Sequence, residues 1–167
     1  MNLYFLRHAK ASPHRKRWKP DSKRPLTAEG EKQARNVACG ICALELGFDS
    51  ILTSPYVRAL RTAEIAAEVL QSDQLHITES LVSEASPEKV IQEIHEKYAK
   101  CKNILLVGHE PYMTHLISIL LTGKPDVAID LKKAGFCKLS IEQRLILGKC
   151  ACLHWILSPK QLARLGK

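Results

Sequence analysis

The chain opens on an unbroken apolar run, Leu3-Tyr4-Phe5-Leu6, the pattern of a strand buried on both faces. It predicts a strand over 2–6 that ends abruptly in Arg7 and His8. Residues 9–26 are polar and broken by Pro13, Pro20 and Pro25, so they read as a loop. Thr27 then reads as a helix cap, with Glu29 and Glu31 in the first turn, where the helix dipole favours acids. Ala34, Val37, Ala38, Ile41 and Leu44 recur at helical spacing, and Gly47 is expected to end that helix. A strand over 48–53 stops at Ser54-Pro55, and the next helix runs to about Leu70 on a stripe of Ala59, Ala63 and Ala66. Residues 75–78 form a weak third strand, and Ser86-Pro87-Glu88 is a strong helix start. Its buried face is expected to carry Val90, Ile91, Ile94 and Tyr98.

Residues 103–107 are the clearest strand, four apolar residues closed by Gly108-His109. Pro111 opens a helix bearing Met113, Leu116, Ile117 and Leu120 that closes near Gly123. The last third changes character. Residues 136–141 and 151–157 read as strands with no helix between them, which predicts antiparallel pairing, and 159–165 as a short final helix. Four alternations of strand and helix predict an α/β fold, a three-layer αβα sandwich with a mainly parallel sheet and an antiparallel edge. With 167 residues and no linker-like stretch, one domain over 1–167 is expected.

Composition narrows the class. The apolar share is 46% and the charged share 25%, ordinary for a globular protein. No apolar run approaches the roughly 20 residues of a membrane helix. A strand stands where a leader would, so a cytoplasmic location and no membrane partner are expected. The six cysteines include Cys39/Cys42 and Cys150/Cys152, without the second half of a zinc ribbon. They are expected to be reduced, mostly buried thiols, with no metal. The net charge of +8 is concentrated between Lys10 and Arg24. Such an excess attracts acidic partners without choosing among phosphorylated ligand, acidic protein and nucleic acid.

The strand ends carry the chemistry. The first ends in Arg7-His8; the second in Ser54-Pro55, with Arg58 one turn beyond; the third in a loop holding Glu79 and Glu84; the fourth in Gly108-His109. In a parallel sheet all four ends meet at one edge, where α/β proteins bind ligands. Two arginines, two histidines and a helix N-terminus in one crevice suit a tetrahedral anion.

Those residues, read as Leu6-Arg7-His8-Ala9, Arg24-Pro25-Leu26-Thr27-Ala28-Glu29-Gly30, Ser54-Pro55 with Arg58 and Thr62, and Val107-Gly108-His109, resemble the histidine phosphatase superfamily. The short length is similar to the SixA-type phosphohistidine phosphatases, which lack the inserted cap of larger members. The resemblance implies a phosphoglycerate-mutase-like fold and removal of phosphate from a histidine-containing phosphorelay protein through a phospho-His8 intermediate. It makes His8 the nucleophile, Arg7 and Arg58 the holders of the phosphoryl oxygens, and His109 a protonated donor to them. No cofactor and no metal are implied, and phosphate is the product. Chemistry permits the roles: attack needs a neutral imidazole, which neighbouring cations favour, and a backbone carbonyl on the other ring nitrogen would fix the tautomer. Two departures stand out. Ala9 occupies a position where the superfamily usually has Gly, and the general acid is ambiguous between Glu84 and Glu79. An uncertain acid suits phosphohistidine, because imidazole leaves far more readily than an alkoxide.

Other readings stay open. Arg24 either orients the pocket or makes a surface salt bridge, and Ser54 either binds phosphate or caps the helix. A small-molecule phosphomonoesterase of the same superfamily is the alternative function; a non-catalytic binder of nucleic acid or acidic protein through residues 10–24 is the remote one. Trp18 alone makes no nucleic-acid platform, so no nucleic-acid partner is expected. His14, His76, His95, His115 and His154 lack motif context and read as ordinary surface or core residues.

Overall fold

The structure, a computed structural model, describes residues 1–13 and 17–167. Its sheet comprises β1 (Asn2–Arg7), β2 (Ser50–Thr53), β3 (Leu75–Ile77), β4 (Asn103–Gly108), β5 (Phe136–Ile141) and β6 (Ala151–Leu157). The helices are α1 (Ala28–Cys42), α2 (Val57–Leu70), α3 (Pro87–Lys97), α4 (Tyr112–Thr122) and α5 (Pro159–Leu165). The strand order is β3-β2-β4-β1-β5-β6. The first four run parallel, β5 pairs antiparallel with β1, and β6 pairs antiparallel with β5. The expected α/β fold with an antiparallel element is present. β5 is the reversed strand, and β6 beyond it points again with the parallel set.

Alternation along each strand divides the apolar residues between two cores. Leu3 and Phe5 of β1 and Ile104 and Leu106 of β4 pack under α3 and α4, with Val90, Ile94, Leu116 and Ile117. Tyr4, Leu6, Leu105 and Val107 face the other way, under α1, α2 and α5, with Val37, Ile41, Ala63, Ala66 and Leu162. Three layers result because the central strands are apolar on both faces.

Local chemistry explains most boundaries. Thr27 caps α1 by accepting from Gly30 N–H, Ser86 caps α3 with Pro87 in its first turn, and Ser158 forms a capping box with Gln161. α1 stops at Cys42, short of Gly47. Glu45, at φ 54°, takes the left-handed backbone instead, its N–H donating to Cys42 O. β2 begins at Ser50 rather than at residue 48, and Asp49 stands just before it, its N–H donating to Asn103 O at 2.9 Å. Its carboxylate accepts the N–H groups of Lys102 and Asn103 at 2.6 and 2.8 Å and so holds the entry to β4. Tyr98 caps the end of α3 and, half-buried, still packs against the core that holds Val90, Ile91 and Ile94.

α1 and α5 meet at Gly40, where a Cβ would stand 2.1 Å from Leu162 O. Gly40→Ala is therefore expected to destabilise the protein by about 1–3 kcal/mol, the usual range for overpacking. Gly47→Ala, with nothing within 4 Å of its Cβ, should stay within about 0.5 kcal/mol. Denaturant melts of both variants check this; equal midpoints would show that α5 yields freely.

The cysteine expectation needs correction. All six are free, but only Cys137 is fully buried, while Cys42 and Cys152 are exposed. Cys42 lies at the outer end of α1 and Cys152 on the edge strand β6, where neighbours cover one side only. Among the described residues no helix is long and apolar enough to cross a membrane.

Candidate active site

The parallel strands deliver their carboxyl ends to one edge, and a cavity of about 240 Å³ opens there. Among the described residues it is lined by Arg7, His8, Asp21, Arg24, Arg58, Ser83, His109, Glu110 and Lys133. The register pairing Arg7 with Gly108 sets the ends of β1 and β4 level, so His8 and His109 emerge side by side, their rings 5.2 Å apart.

His8 is 5% exposed. Its Nδ1 lies 2.7 Å from Ala9 O, and a carbonyl can only accept, so Nδ1 carries the hydrogen and Nε2 keeps its lone pair. Burial, together with Arg58, Arg7 and Arg24, lowers its pKa to about 3, against the opposing bond to Ala9 O. A neutral imidazole with a free nitrogen can attack an electrophile such as phosphorus. Ala9 fits without strain: it is fully buried and its N–H donates to Thr62 Oγ1 at 3.1 Å, while Thr62 donates to Arg58 O. The following turn is pressed onto α1, where a Cβ on Gly30 would meet Lys10 O at 2.0 Å. Thr27 N–H donates to that same carbonyl at 3.0 Å.

The guanidiniums are held by partners in and around the cavity wall. Arg7 Nη1 donates to Leu131 O at 2.8 Å. Arg58, 4% exposed, donates from Nη1 to Asp21 O at 2.9 Å and pairs through Nη2 with Asp21 Oδ2 at 3.0 Å. Arg24 pairs through Nε with Asp21 Oδ1 at 2.9 Å and donates from Nη1 to Ser12 O at 3.1 Å. Asp21 thus ties two cations together across the loop. Arg24 lines the cavity and makes a salt bridge at once, so its two sequence readings coexist. Arg7 Nε and Arg58 Nε are buried without a partner, as expected of groups shaped for an anion.

His109 departs from expectation. It is 1% exposed, and burial followed by Arg58, His8, Arg24 and Arg7 lowers its pKa to about 2. These surroundings favour the neutral ring over the protonated donor expected from the sequence. Its Nε2 meets Ser54 Oγ at 2.9 Å, and its buried Nδ1 has no partner. Ser54 therefore holds this ring. It does not cap α2, whose N-cap is Tyr56, and it does not line the cavity.

Neither expected acid lines the cavity among the described residues. Glu84 is exposed and accepts from the Tyr56 hydroxyl at 2.7 Å, a bond that pushes the phenol up to about 12. Glu79 is exposed in the short 3-10 turn 79–81, near Lys89 and Lys97. Sequence reasoning missed Glu110, Lys133 and Asp21. Glu110 was legible, since it follows His109 directly at a strand end; Lys133 and Asp21 sit on loops whose course no periodicity reveals.

The remaining histidines fall elsewhere. His76 packs on Tyr98, His154 Nε2 meets Ser140 Oγ at 2.9 Å, His115 is exposed, and His95 Nε2 is buried without a partner. His14, with Arg15 and Lys16 of the basic loop, lies outside the described residues. Trp18 donates to Ser12 Oγ at 3.2 Å, with Arg17 over its ring. Among the described residues no group of three His, Cys, Asp or Glu could hold a metal ion.

The family model of the histidine phosphatase superfamily (branch 1) matches residues 3–84. An uncharacterized protein of Picosynechococcus sp. is 34% identical over 140 residues, which are 83% of this chain and 84% of that protein. The chain belongs to the histidine phosphatase superfamily. In a superfamily member the match from 3 to 84 takes in Arg7, His8, Arg24 and Arg58, while His109 lies beyond it and is brought in by the pairing of β4 with β1. The fold extends over nearly the whole chain. The protein histidine phosphatase SixA, complexed with tungstate, superposes with a TM-score of 0.82 at 21% identity, over 97% of this chain and 99% of that one. The alpha-ribazole phosphatase from Shigella flexneri superposes with a TM-score of 0.72 at 20% identity, over 95% and 97%.

Proposed function

We propose that this superfamily member is a phosphohistidine protein phosphatase, a hydrolase that needs no metal and acts on a phosphorylated, histidine-containing signalling protein of the cytoplasm. The observation that carries the reading is the fixed tautomer of His8, with Nε2 unprotonated in a cavity ringed by Arg7, Arg24 and Arg58. In the first step Nε2 attacks phosphorus and the substrate's imidazole leaves. In the second, water attacks phospho-His8 and phosphate departs. The guanidiniums stabilise the phosphoryl oxygens during in-line transfer.

One further feature favours a protein substrate: Lys10, Arg17, Lys19 and Lys23 stand on the loop that leaves the cavity. A small-molecule phosphomonoesterase is the second reading, favoured by the likeness to a fold used by the alpha-ribazole phosphatase.

The test compares a phosphohistidine domain with a panel of phosphate esters, each at several ionic strengths. The phosphohistidine domain should be the better substrate. Replacing Arg15, Lys16, Arg17 and Lys19 by Ala should lower kcat/KM on it, less so as salt rises, because the screening length at 0.15 M is about 8 Å. The same change should leave a small ester untouched. A preference for one small ester, indifferent to the basic loop, would sink the protein-substrate reading.

A further inference from the structure

Two imidazoles stand side by side at this cavity, and each is fixed by a hydrogen bond at one ring nitrogen. His109 lines the cavity with its Nε2 already engaged, 2.9 Å from Ser54 Oγ. Ser54, directly after β2, is fully buried. Its Oγ also accepts the Tyr56 N–H at 3.3 Å, and a backbone N–H can only donate. The hydroxyl has one hydrogen of its own to give. Among the described residues the acceptor within reach of that hydrogen is His109 Nε2. Were Nε2 protonated, it would donate to Ser54 and leave the serine hydrogen buried without an acceptor, at the full cost of desolvation. The hydroxyl therefore donates and Nε2 accepts. Burial, followed by Arg58, His8, Arg24 and Arg7, favours the neutral ring, and a neutral imidazole carries one hydrogen. With Nε2 bare, that hydrogen stands on Nδ1, which is buried and meets no protein partner among the described residues.

We propose that Ser54 is a positioning residue: by donating to Nε2 it holds His109 in the Nδ1–H tautomer, so that the ring offers the phosphoryl group an uncharged hydrogen-bond donor. The inference rests on the phosphoryl-transfer reading for the identity of that group, whereas the tautomer rests on the bonds of Ser54 alone. The two histidines then present opposite nitrogens of the same tautomer. His8 gives its Nδ1 hydrogen to Ala9 O and presents a bare Nε2, which can attack. His109 gives its Nε2 lone pair to Ser54 and keeps its Nδ1 hydrogen for an oxygen of the ligand. The other tautomer would turn a lone pair toward phosphoryl oxygens and repel them. No proton has to be taken up as the anion binds, so Arg7, Arg24 and Arg58 are joined by no further buried positive charge. The donor is in place beforehand, as stabilisation of a developing charge requires.

Nitrogen-15 NMR of histidine-labelled protein reads the tautomer directly, since a protonated ring nitrogen and a bare one resonate far apart; a His109→Gln control assigns the signals. In wild type at neutral pH, His109 should carry hydrogen on Nδ1 and none on Nε2, both free and with inorganic phosphate bound, and phosphate should shift the Nδ1–H signal. In Ser54→Ala the constraint is gone, so the hydrogen should be shared between the two nitrogens. Turnover of a phosphohistidine domain by that variant should fall in kcat by about three- to tenfold, the effect of one hydrogen bond. Hydrogen on Nε2 of the wild-type ring, or on both nitrogens once phosphate is bound, would overturn the proposal. So would a Ser54→Ala protein that loses kcat with an unchanged His109 spectrum, because Ser54 would then support the fold and not the tautomer. A shared hydrogen with kcat untouched would sink it as well, leaving the tautomer without a part in the reaction. Failure of the underlying reading is separate: the spectra would be as described while no phosphohistidine was hydrolysed.

Discussion

Replacing His8 by Asn is expected to lower hydrolysis of every substrate by about 10⁴-fold or more, as loss of a nucleophile does elsewhere. Asn keeps the polarity and approximate size of the buried site, so the fold should survive. What it lacks is the free ring nitrogen that the bond from Nδ1 to Ala9 O leaves at Nε2. The residual rate would come from Arg7, Arg58 and His109 holding an ester for direct attack by water. The measurement is single-turnover hydrolysis with a labelled phosphoryl group, the labelled protein being trapped in an alkaline quench and then challenged with acid. Wild type should carry a base-stable, acid-labile label and the variant none. A variant retaining a tenth of wild-type turnover would remove His8 from the chemistry and with it the whole covalent scheme.

The second large effect is expected at Arg58. Arg58→Ala should lower kcat by about 10²–10³-fold, the range for removing one donor to a developing oxyanion. Asp21 holds two of its nitrogens, so the fork is already oriented before an anion arrives. That pre-organisation is why Arg58→Lys should recover only a small part: an ammonium brings the charge but not the planar pair of donors. A pH signature separates this role from simple packing. Burial chiefly, and Arg58 in part, hold the His8 pKa at about 3. Without Arg58 it should move up toward the ordinary 6.5. Attack requires neutral His8, so activity is lost as pH falls through that pKa, and the acid limb of the variant should begin at a higher pH than that of wild type. A low rate with an unmoved acid limb would mean that Arg58 shapes the loop at Asp21 without acting on His8.

The two predictions meet at one physical idea. Burial first, and the neighbouring guanidiniums second, favour uncharged imidazoles in the cavity, and those same guanidiniums suit an anion. The neutral form of His109 is favoured as well, by burial first and then by Arg58, His8, Arg24 and Arg7. Sequence reasoning assigned it a proton outright because the type and position of a histidine are visible in a sequence, whereas its desolvation is not.

Much of the molecule is determined by local sequence. The apolar runs of β1 and β4 make central strands, since only a position covered on both faces tolerates four consecutive large apolar residues. Thr27, Ser86 and Ser158 start helices because a side-chain oxygen there satisfies a free N–H two or three residues on. The parallel order then forces Arg7, His8, Arg58 and His109 to one edge. What only the tertiary structure decided lies in contacts between distant residues. Ser54 holds His109 across 55 residues, and Arg7 is anchored on Leu131 O across 124. No spacing rule reaches so far. The choice among acids is of the same kind. Glu79, Glu84 and Glu110 are alike as letters, and each follows a strand end. The turn after β3 carries the first two into solvent, whereas the pairing of β4 between β1 and β2 sets the third in the cavity wall, where burial raises its carboxyl above the usual range.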